Sequence, residues 1–575
     1  MALIKRRSHD EHSNTLPDNL HPVLRRIYMA RNVVDAAELE HGLNRLLPYH
    51  DLKGINEAVT LLIDALNKNQ RILIVGDFDA DGATSSALAV RALRAMGATY
   101  VDFLVPNRFE YGYGLTPEIV NVALKSQPEL IITVDNGISS LDGVTAAKSN
   151  NIQVLVTDHH LPGEQLPHAD AIVNPNQPGD EFSSKNMAGV GVIFYVMMSL
   201  RVALREQGWF EQQGIPEPNL ASYLDLVALG TVADVVPLDH NNRILVAQGL
   251  ARIRAGECCP GIRAILEVAG RKLENISSTD MGFCVGPRLN AAGRLEDMSI
   301  GINCLLSDDM NQARLLAKQL DQLNHDRRNI EQDMREQAFQ FIDSLQMDDE
   351  ADLPVGMCLF NDEWHEGVIG ILASRVKDKL HRPVIAFAPA GVGLIKGSAR
   401  SVKGLHIRDA LDSVAAKHPG LIHKFGGHAM AAGLTLNAGD YARFAQAFDE
   451  EVARHLTEED LHGTIYSDGE LVGQDINLQL AEYLKKAGPW GQGFPEPVFD
   501  GVFELVNRRI VGEKHLKLLL RAPGENMTVD AIAFNTVDHD WPTVVNRVQL
   551  AYRLDVNEFN KQRNAQLIVE QVEPV

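Results

Sequence analysis

Ile72-Leu73-Ile74-Val75-Gly76-Asp77-Phe78-Asp79-Ala80-Asp81-Gly82 is the stretch on which the reading of the whole chain turns. Four branched apolar residues read as a buried strand. Three carboxylates at alternate positions follow, then a glycine. Ala83 to Leu93 continues as a helix whose apolar face runs through Leu88, Leu93 and Met96. Ligands of open α/β sheets sit just beyond the carboxyl ends of the strands. Carboxylates crowded there repel one another unless a cation neutralises them. A divalent-metal site at a strand tip is therefore one expectation. An Asp-rich loop serving turns and a helix N-cap is the other.

Working outward, the pattern repeats. Tyr100 to Pro106 is strand-like and runs into the glycine- and aromatic-rich loop Asn107 to Leu115. Leu130-Ile131-Ile132-Thr133-Val134 ends in Asp135-Asn136-Gly137, and Ile152 to Thr157 ends in Asp158-His159-His160. Ala169 to Val173 ends in Asn174-Pro175. Helical stretches such as Gly143 to Ser149 lie between. Such βαβα alternation with continuous apolar strands predicts a mostly parallel sheet with helices on both faces. Strand tips lie side by side in that fold. Asp79 and Asp81, Asp135, and Asp158-His159-His160 would then converge, which weighs against the capping-loop reading.

The 575 residues are too many for one core and predict three or four domains. Hydrophobic residues make up 45% and charged residues 23%, as in ordinary globular chains. No apolar run approaches the ~20 residues of a membrane span. The start, Met1 to Asp10, lacks the apolar segment of a secretory signal. Five scattered cysteines without a Cys-x-x-Cys indicate neither a disulfide framework nor a zinc finger, so a reducing cytoplasm is the expected location. The net charge of −22 excludes a protein wrapped in basic surface, though not a local basic groove.

The remaining chain divides by texture. Residues 1–20 are polar and read as disordered. A helical pattern runs from about Val23 to Asn69. Leu220 to Leu229 reads as a helix ending in Gly230-Thr231-Val232-Ala233-Asp234, and Gly282 to Leu295 as a loop. Asp309 to Leu345 reads as a long connecting helix, closed by Asp348-Asp349-Glu350. A second α/β pattern has strands at Gly356 to Phe360 and Val384 to Phe387, with a helix over Gly367 to Leu380 between them. After a Pro/Gly-rich hinge, Pro489 to Pro497, short strands are spaced like a small antiparallel barrel.

Asp and His ligands without Cys suit Mn²⁺ or Mg²⁺. Two such cations sharing a carboxylate favour displacement at phosphorus. The glycine after Asp81 is expected to let backbone approach a ligand. No Gly-Lys dipeptide exists, so a Walker A loop is absent. His365-Glu366 lacks the second histidine of a zincin helix, and Gly189-Val190-Gly191 is not a full dinucleotide fingerprint.

Asp79-Ala80-Asp81-Gly82, Asp135, Asp158-His159-His160 and Gly230-Thr231-Val232-Ala233-Asp234, in that order, resemble the DHH phosphoesterase family. Gly426-Gly427-His428 with Ala431-Ala432-Gly433 matches its associated DHHA1 domain. One departure is Val75, where many relatives carry a histidine. The resemblance implies a DHH domain over 50–305, behind an N-terminal extension 1–49. It implies a connecting helix 306–347, an α/β DHHA1 domain 348–462 and an OB-fold barrel 463–575. It implies Asp79, Asp81, Asp135, His159 and Asp234 as ligands of two Mn²⁺ or Mg²⁺ ions, with Asp135 bridging. Asp158 would orient His159, and His160 would face the scissile phosphate.

The length, the arginine loops and the barrel are similar to the family's single-strand-specific 5′→3′ exonucleases. That similarity implies a 5′-phosphate pocket of Arg108, Arg288, Ser398 and Arg400. Gly427 and His428 would close the cleft, and Tyr113 would stack on a base. In the barrel, Arg508, Arg509, Lys514, Lys517 and Arg521 are candidate contacts to single-stranded DNA. Partners so implied are single-strand-binding protein and a helicase, in recombination and repair. The alternative is a DHH phosphodiesterase or pyrophosphatase acting on small nucleotides or short oligonucleotides, which needs only the two lobes. A non-catalytic DNA-binding relative would have lost the ligand set, which is here nearly complete.

Overall fold

The computed structural model describes all residues except 1–2, 9–14, 107–113, 348–352, 513, 523–526, 537–545 and 560–561. Arg108, Tyr113 and the acidic run Asp348 to Glu350 lie outside the described residues. The chain forms two compact units. One comprises Arg6–Asn324 with Ser467–Val575, and the other His325–Tyr466 with the first five residues.

The first unit is built on five strands: β1 (Ile72–Gly76), β2 (Val101–Leu104), β3 (Leu130–Val134), β4 (Gln153–Thr157) and β5 (Ala171–Val173). All are parallel, in the order 2-1-3-4-5. Alternate side chains face opposite layers. Ile72, Ile74 and Ile132 join the core that contains Ala83, Ala87 and Val190. Leu73, Val75 and Ile131 join the one formed with Ile119, Val120 and Val144. Burying both faces explains the continuous apolar runs, and each fully buried branched side chain contributes about 1.5–3 kcal/mol. Val75 itself is fully buried in that second layer.

Register matters most for the site. Gly76 pairs with Val134, and Val134 with Thr157. The next residues, Asp77, Asp135 and Asp158, therefore leave three neighbouring strands at one level, about 4.8 Å apart per step. In the 2-1-3-4-5 order, strands 1 and 3 flank the switch point where ligands bind.

The polar N-terminus is not a loose tail where it is described. Leu3–Arg6 is a strand, and Leu16 is buried. Pro22–Met29 is a helix, whose Tyr28 stacks on Trp490 and Phe494 at 6.3 Å each. Arg31 forms a buried ion pair with Asp468 at 2.7 Å. The hinge expected at Pro489 to Pro497 is thus a packed wedge, because its aromatics are buried: Trp490 and Phe494 stack 5.2 Å apart. The barrel closes through Phe499–Val511, His515–Arg521, Thr528–Ala533, Gln562–Pro574 and Arg547–Phe559. It is not wholly antiparallel, since Thr528–Ala533 runs parallel to Gln562–Pro574.

The connector is one helix, Met310–Met347, whose 38 residues extend about 57 Å. The second unit carries a five-stranded sheet: β6 (Met357–Phe360), β7 (Val384–Pro389), β8 (Leu394–Arg400), β9 (Lys424–Gly427) and β10 (Ala431–Asn437). Their order is 9-10-8-7-6, and only β6 and β7 are parallel. No described helix is long and apolar enough to cross a membrane.

Candidate metal centre

The tips of β1, β3 and β4 and the end of one helix bring the acidic residues together. Three sets of side chains place a ligand atom from each member within 4.8 Å of the others: Asp77, Asp79 and Asp135; Asp81, His159 and Asp234; and Asp135, His159 and His160. All five expected ligands are in this cluster. Asp135 belongs to two sets and His159 to two. His159 Nε2 lies 3.1 Å from Asp135 Oδ1 and 3.4 Å from Asp234 Oδ2. Asp77, the candidate to supplement the ligand set thinned by Val75, lies in the cluster, and His160, expected to face the phosphate, joins as a further potential ligand.

Each carboxylate is held by local chemistry. Asp79 is the N-cap of the helix Ala80–Ala95, and its Oδ1 accepts from Asp81 N and Gly82 N at 2.9 and 3.0 Å. The capping and metal readings of this loop are therefore compatible in one side chain. Asp81 is buried, and its two oxygens accept from Gly189 N at 2.6 Å and Val190 N at 3.0 Å. Those amides open the helix Gly189–Glu206, whose positive end suits an anion. Asp234 caps the carboxyl end of Leu224–Ala233.

Two glycines let these parts touch. A Cβ on Gly189 would lie 2.6 Å from Asp135 Cβ, and one on Gly230 would lie 2.7 Å from Asp81 Oδ1. Gly82 serves a different purpose from the one expected. Its missing Cβ would meet the Asp77 backbone at 2.4 Å, so it closes the loop on itself rather than admitting a ligand.

Asp158 also departs from expectation. Its Oδ1 meets His160 Nδ1 at 2.8 Å, not the ring of His159, and its Oδ2 accepts from Ile138 N at 2.9 Å. The backbone turns immediately after β4, which brings the second histidine back over the carboxylate. Asn174 and Asn176 donate to the carbonyls of His160 and His159, fixing that turn.

The electrostatics describe a crowded anionic site. Burial, then the neighbouring Asp79, pushes Asp81 up to about 7. Burial and then Asp81 and Asp79 raise both Asp135 and Asp234 well above the usual carboxylate range. For Asp158, burial is outweighed by the His160 hydrogen bond, and it is lowered. Divalent cations relieve such crowding directly. Carboxylate oxygens and imidazole nitrogens without a thiolate are the donor set of Mn²⁺ or Mg²⁺, so the residues present fit the expected ions.

Arg288, expected in a phosphate pocket, lies on the helix Gly286–Leu295 and is engaged. Its Nε donates to Asp321 Oδ1 at 2.9 Å, and its Nη1 to Cys284 O at 2.7 Å. In the second unit, Arg400 Nη1 donates to Ser398 Oγ at 3.1 Å, both on β8. Burial lowers Arg400, and among the described residues no carboxylate pairs with it. A half-buried cation so placed favours an anionic ligand. Gly427 and His428 form the turn from β9 toward β10, where His428 N donates to Ala431 O at 2.8 Å.

Three family descriptions match in order: "DHH family, N-terminal domain" over 71–231, "DHHA1 domain" over 353–454, and "RecJ OB domain" over 467–571. The single-stranded-DNA-specific exonuclease RecJ of Dickeya dadantii is 56% identical, over 97% of this chain and 97% of its own. That of Escherichia coli is 53% identical over 100% and 99%. The crystal structure of RecJ from Thermus thermophilus in complex with Mn²⁺ superposes with a TM-score of 0.79 at 31% identity, covering 96% of this chain and 76% of that one. With identity above one half along essentially its whole length, and with all three modules in place, the chain belongs to the RecJ family of DHH proteins.

Proposed function

We propose that this chain is a metal-dependent exodeoxyribonuclease, which digests single-stranded DNA from the 5′ end and releases 5′-mononucleotides in recombination and repair. The observation that carries the reading is the convergence of Asp77, Asp79, Asp81, Asp135, His159, His160 and Asp234 at the switch point of the first sheet. The curated relatives named as single-stranded-DNA-specific exonucleases support it. Solved RecJ structures in complex with Mn²⁺ and with Mg²⁺ support those two cations.

Asp79, Asp81, Asp135, His159 and Asp234 are the ligands in this reading, with Asp77 beside them where Val75 leaves no donor. Asp135, which comes from the middle strand and belongs to two of the three ligand sets, would be the residue to hold both ions. Two cations so held supply the charge that makes water nucleophilic near neutral pH and offsets that of the phosphoryl oxygens. The amides of Gly189 and Val190 fix Asp81, so the ligand set needs no reorganisation when substrate arrives. His160, positioned by Asp158, is the group that meets charge developing on the scissile phosphate.

Polarity would come from recognition of a 5′-phosphate, for which Arg108 and Arg288 of the first unit and Ser398 and Arg400 of the second are the candidate donors, guanidinium groups being planar forks suited to a terminal dianion. Tyr113, Gly427 and His428 would complete the binding of the terminal nucleotides. The barrel would hold the strand further along. A helicase and a single-strand-binding protein would keep that strand open.

Digestion of 5′- and 3′-end-labelled single strands with Mn²⁺, Mg²⁺ or chelator tests the reading. The 5′ label is expected to appear first, in mononucleotides, and chelator should abolish its release. Activity confined to dinucleotides, or release from the 3′ end, would overturn it.

A further inference from the structure

We infer that the apolar cavity next to Asp234, walled by Phe283 and Val235, receives a nucleobase of the bound strand. This rests on the single-strand exonuclease reading above. The cavity has a volume of about 370 Å³, and its wall includes Val232, Val235, Leu238, Phe283 and Trp490, with Gln492 and Glu496 also lining it. A volume of that order accepts a base with room for its sugar.

Three features coincide there. Phe283 is 74% exposed and Val235 is 62% exposed, although each would gain about 1.5–3 kcal/mol from burial. Val235 has φ 61°, in the left-handed region that a β-branched side chain avoids. Phe283 lies on Met281–Val285, a π-helical turn, a geometry found mostly where function requires it. A backbone strained to present an apolar side chain to solvent is one held for a ligand.

The cavity lies at the carboxyl end of the helix Leu224–Ala233, where Asp234 stands. Val235 directly follows Asp234, and the π turn packs on the end of that helix. Cβ positions at Gly282 and Gly286 come within 3.3 Å of Val232 and 3.1 Å of Ala233. An aromatic face between aliphatic walls takes any of the four bases, and the Gln492 amide can meet a base edge. Stacking of this kind is indifferent to sequence, as digestion of any single strand requires.

The test uses the full-length protein and 5′-phosphorylated oligodeoxynucleotides, each carrying 2-aminopurine at one position near the 5′ end. Chelator is present, so nothing is cleaved. The wild type is expected to quench one of these positions by stacking. Phe283→Ala should lose that quench, and Phe283→Trp should keep it. With metal restored, KM of Phe283→Ala should rise about tenfold, with kcat unchanged. Val235→Gly accepts the same φ and removes the other wall, and it too should raise KM. The same quench and the same KM in Phe283→Ala as in the wild type would overturn the inference. Failure of the exonuclease reading itself looks different, because the wild type would then leave single strands intact.

Discussion

Gly189→Ala is expected to inactivate the enzyme while leaving it folded. The added methyl would sit 2.6 Å from Asp135 Cβ, 2.9 Å from its Cα and 2.9 Å from its Oδ1. Ordinary contact begins near 3.4 Å, so the two must separate by 3.4 − 2.6 = 0.8 Å. Asp135 sits at the tip of a strand whose residues are buried on both faces, and cannot retreat into the sheet. The start of the helix Gly189–Glu206 must move instead, and with it the amides that hold Asp81. Either way a ligand shifts by most of an ångström, which costs about hundredfold in rate. Overpacking should cost about 1–3 kcal/mol, offset by up to about 1 kcal/mol from the better helix propensity of alanine.

Gly191→Ala is the matched control. It lies in the first turn of the same helix, where the methyl meets nothing nearer than the Met187 side chain at 3.6 Å. Steady-state digestion of a 5′-phosphorylated single strand, with Mn²⁺ affinity by calorimetry and a thermal melt, separates the effects. Gly189→Ala should lose activity and metal affinity, and Gly191→Ala should lose neither. A Gly189→Ala enzyme with wild-type rate would refute the close-packing argument for the metal centre.

Two further outcomes are expected. Arg400→Ala should abolish the preference for a 5′-phosphate over a 5′-hydroxyl; a variant retaining that preference would remove Arg400 from the pocket. Glu451 tests the stability of the second unit through pH. Burial raises its carboxyl, but hydrogen bonds from Lys417, Ser413 and His455 outweigh that and hold it at about 2. Its folded value is therefore below its unfolded one, so its stabilisation is complete above about pH 4.5 and fades as pH falls toward 2. The full shift corresponds to about 3 kcal/mol, and the half-exposed partners reduce that to about 1–2 kcal/mol. Glu451→Gln should lower Tm at pH 7 and do so less at about pH 3; a gap constant with pH would exclude the mechanism.

The first sheet was legible because its strands are buried on both faces, and so read as unbroken branched runs bounded by acids. The ligands were legible because three tips in one register each end in Asp. What escaped were contacts between distant segments. Asp81 is held by amides 108 residues away, and the only local trace is the pair of glycines at 189 and 191. The choice of His160 over His159 as the partner of Asp158 depends on the backbone turn after the strand, which adjacency does not encode. Gly282 to Leu295 read as a loop from its glycines and proline. It is helical, because Pro287 falls in the first turn and Gly293 is required by contact, its Cβ position lying 1.8 Å from Phe78 O. The segment Pro489 to Pro497 read as a hinge for the same compositional reason, while its aromatics carry the packing.

The buried pairing of Arg31 with Asp468 joins residues 437 apart in the chain. On a ribosome adding about 5–20 residues per second, Arg31 emerges roughly 20–90 s before its carboxylate exists. During that interval the amino-terminal helix has neither Asp468 nor the aromatic wedge of Trp490 and Phe494 to settle against. The first segment synthesised is thus among the last to be locked in place, and the catalytic sheet must fold behind a tether that is still waiting for its anchor.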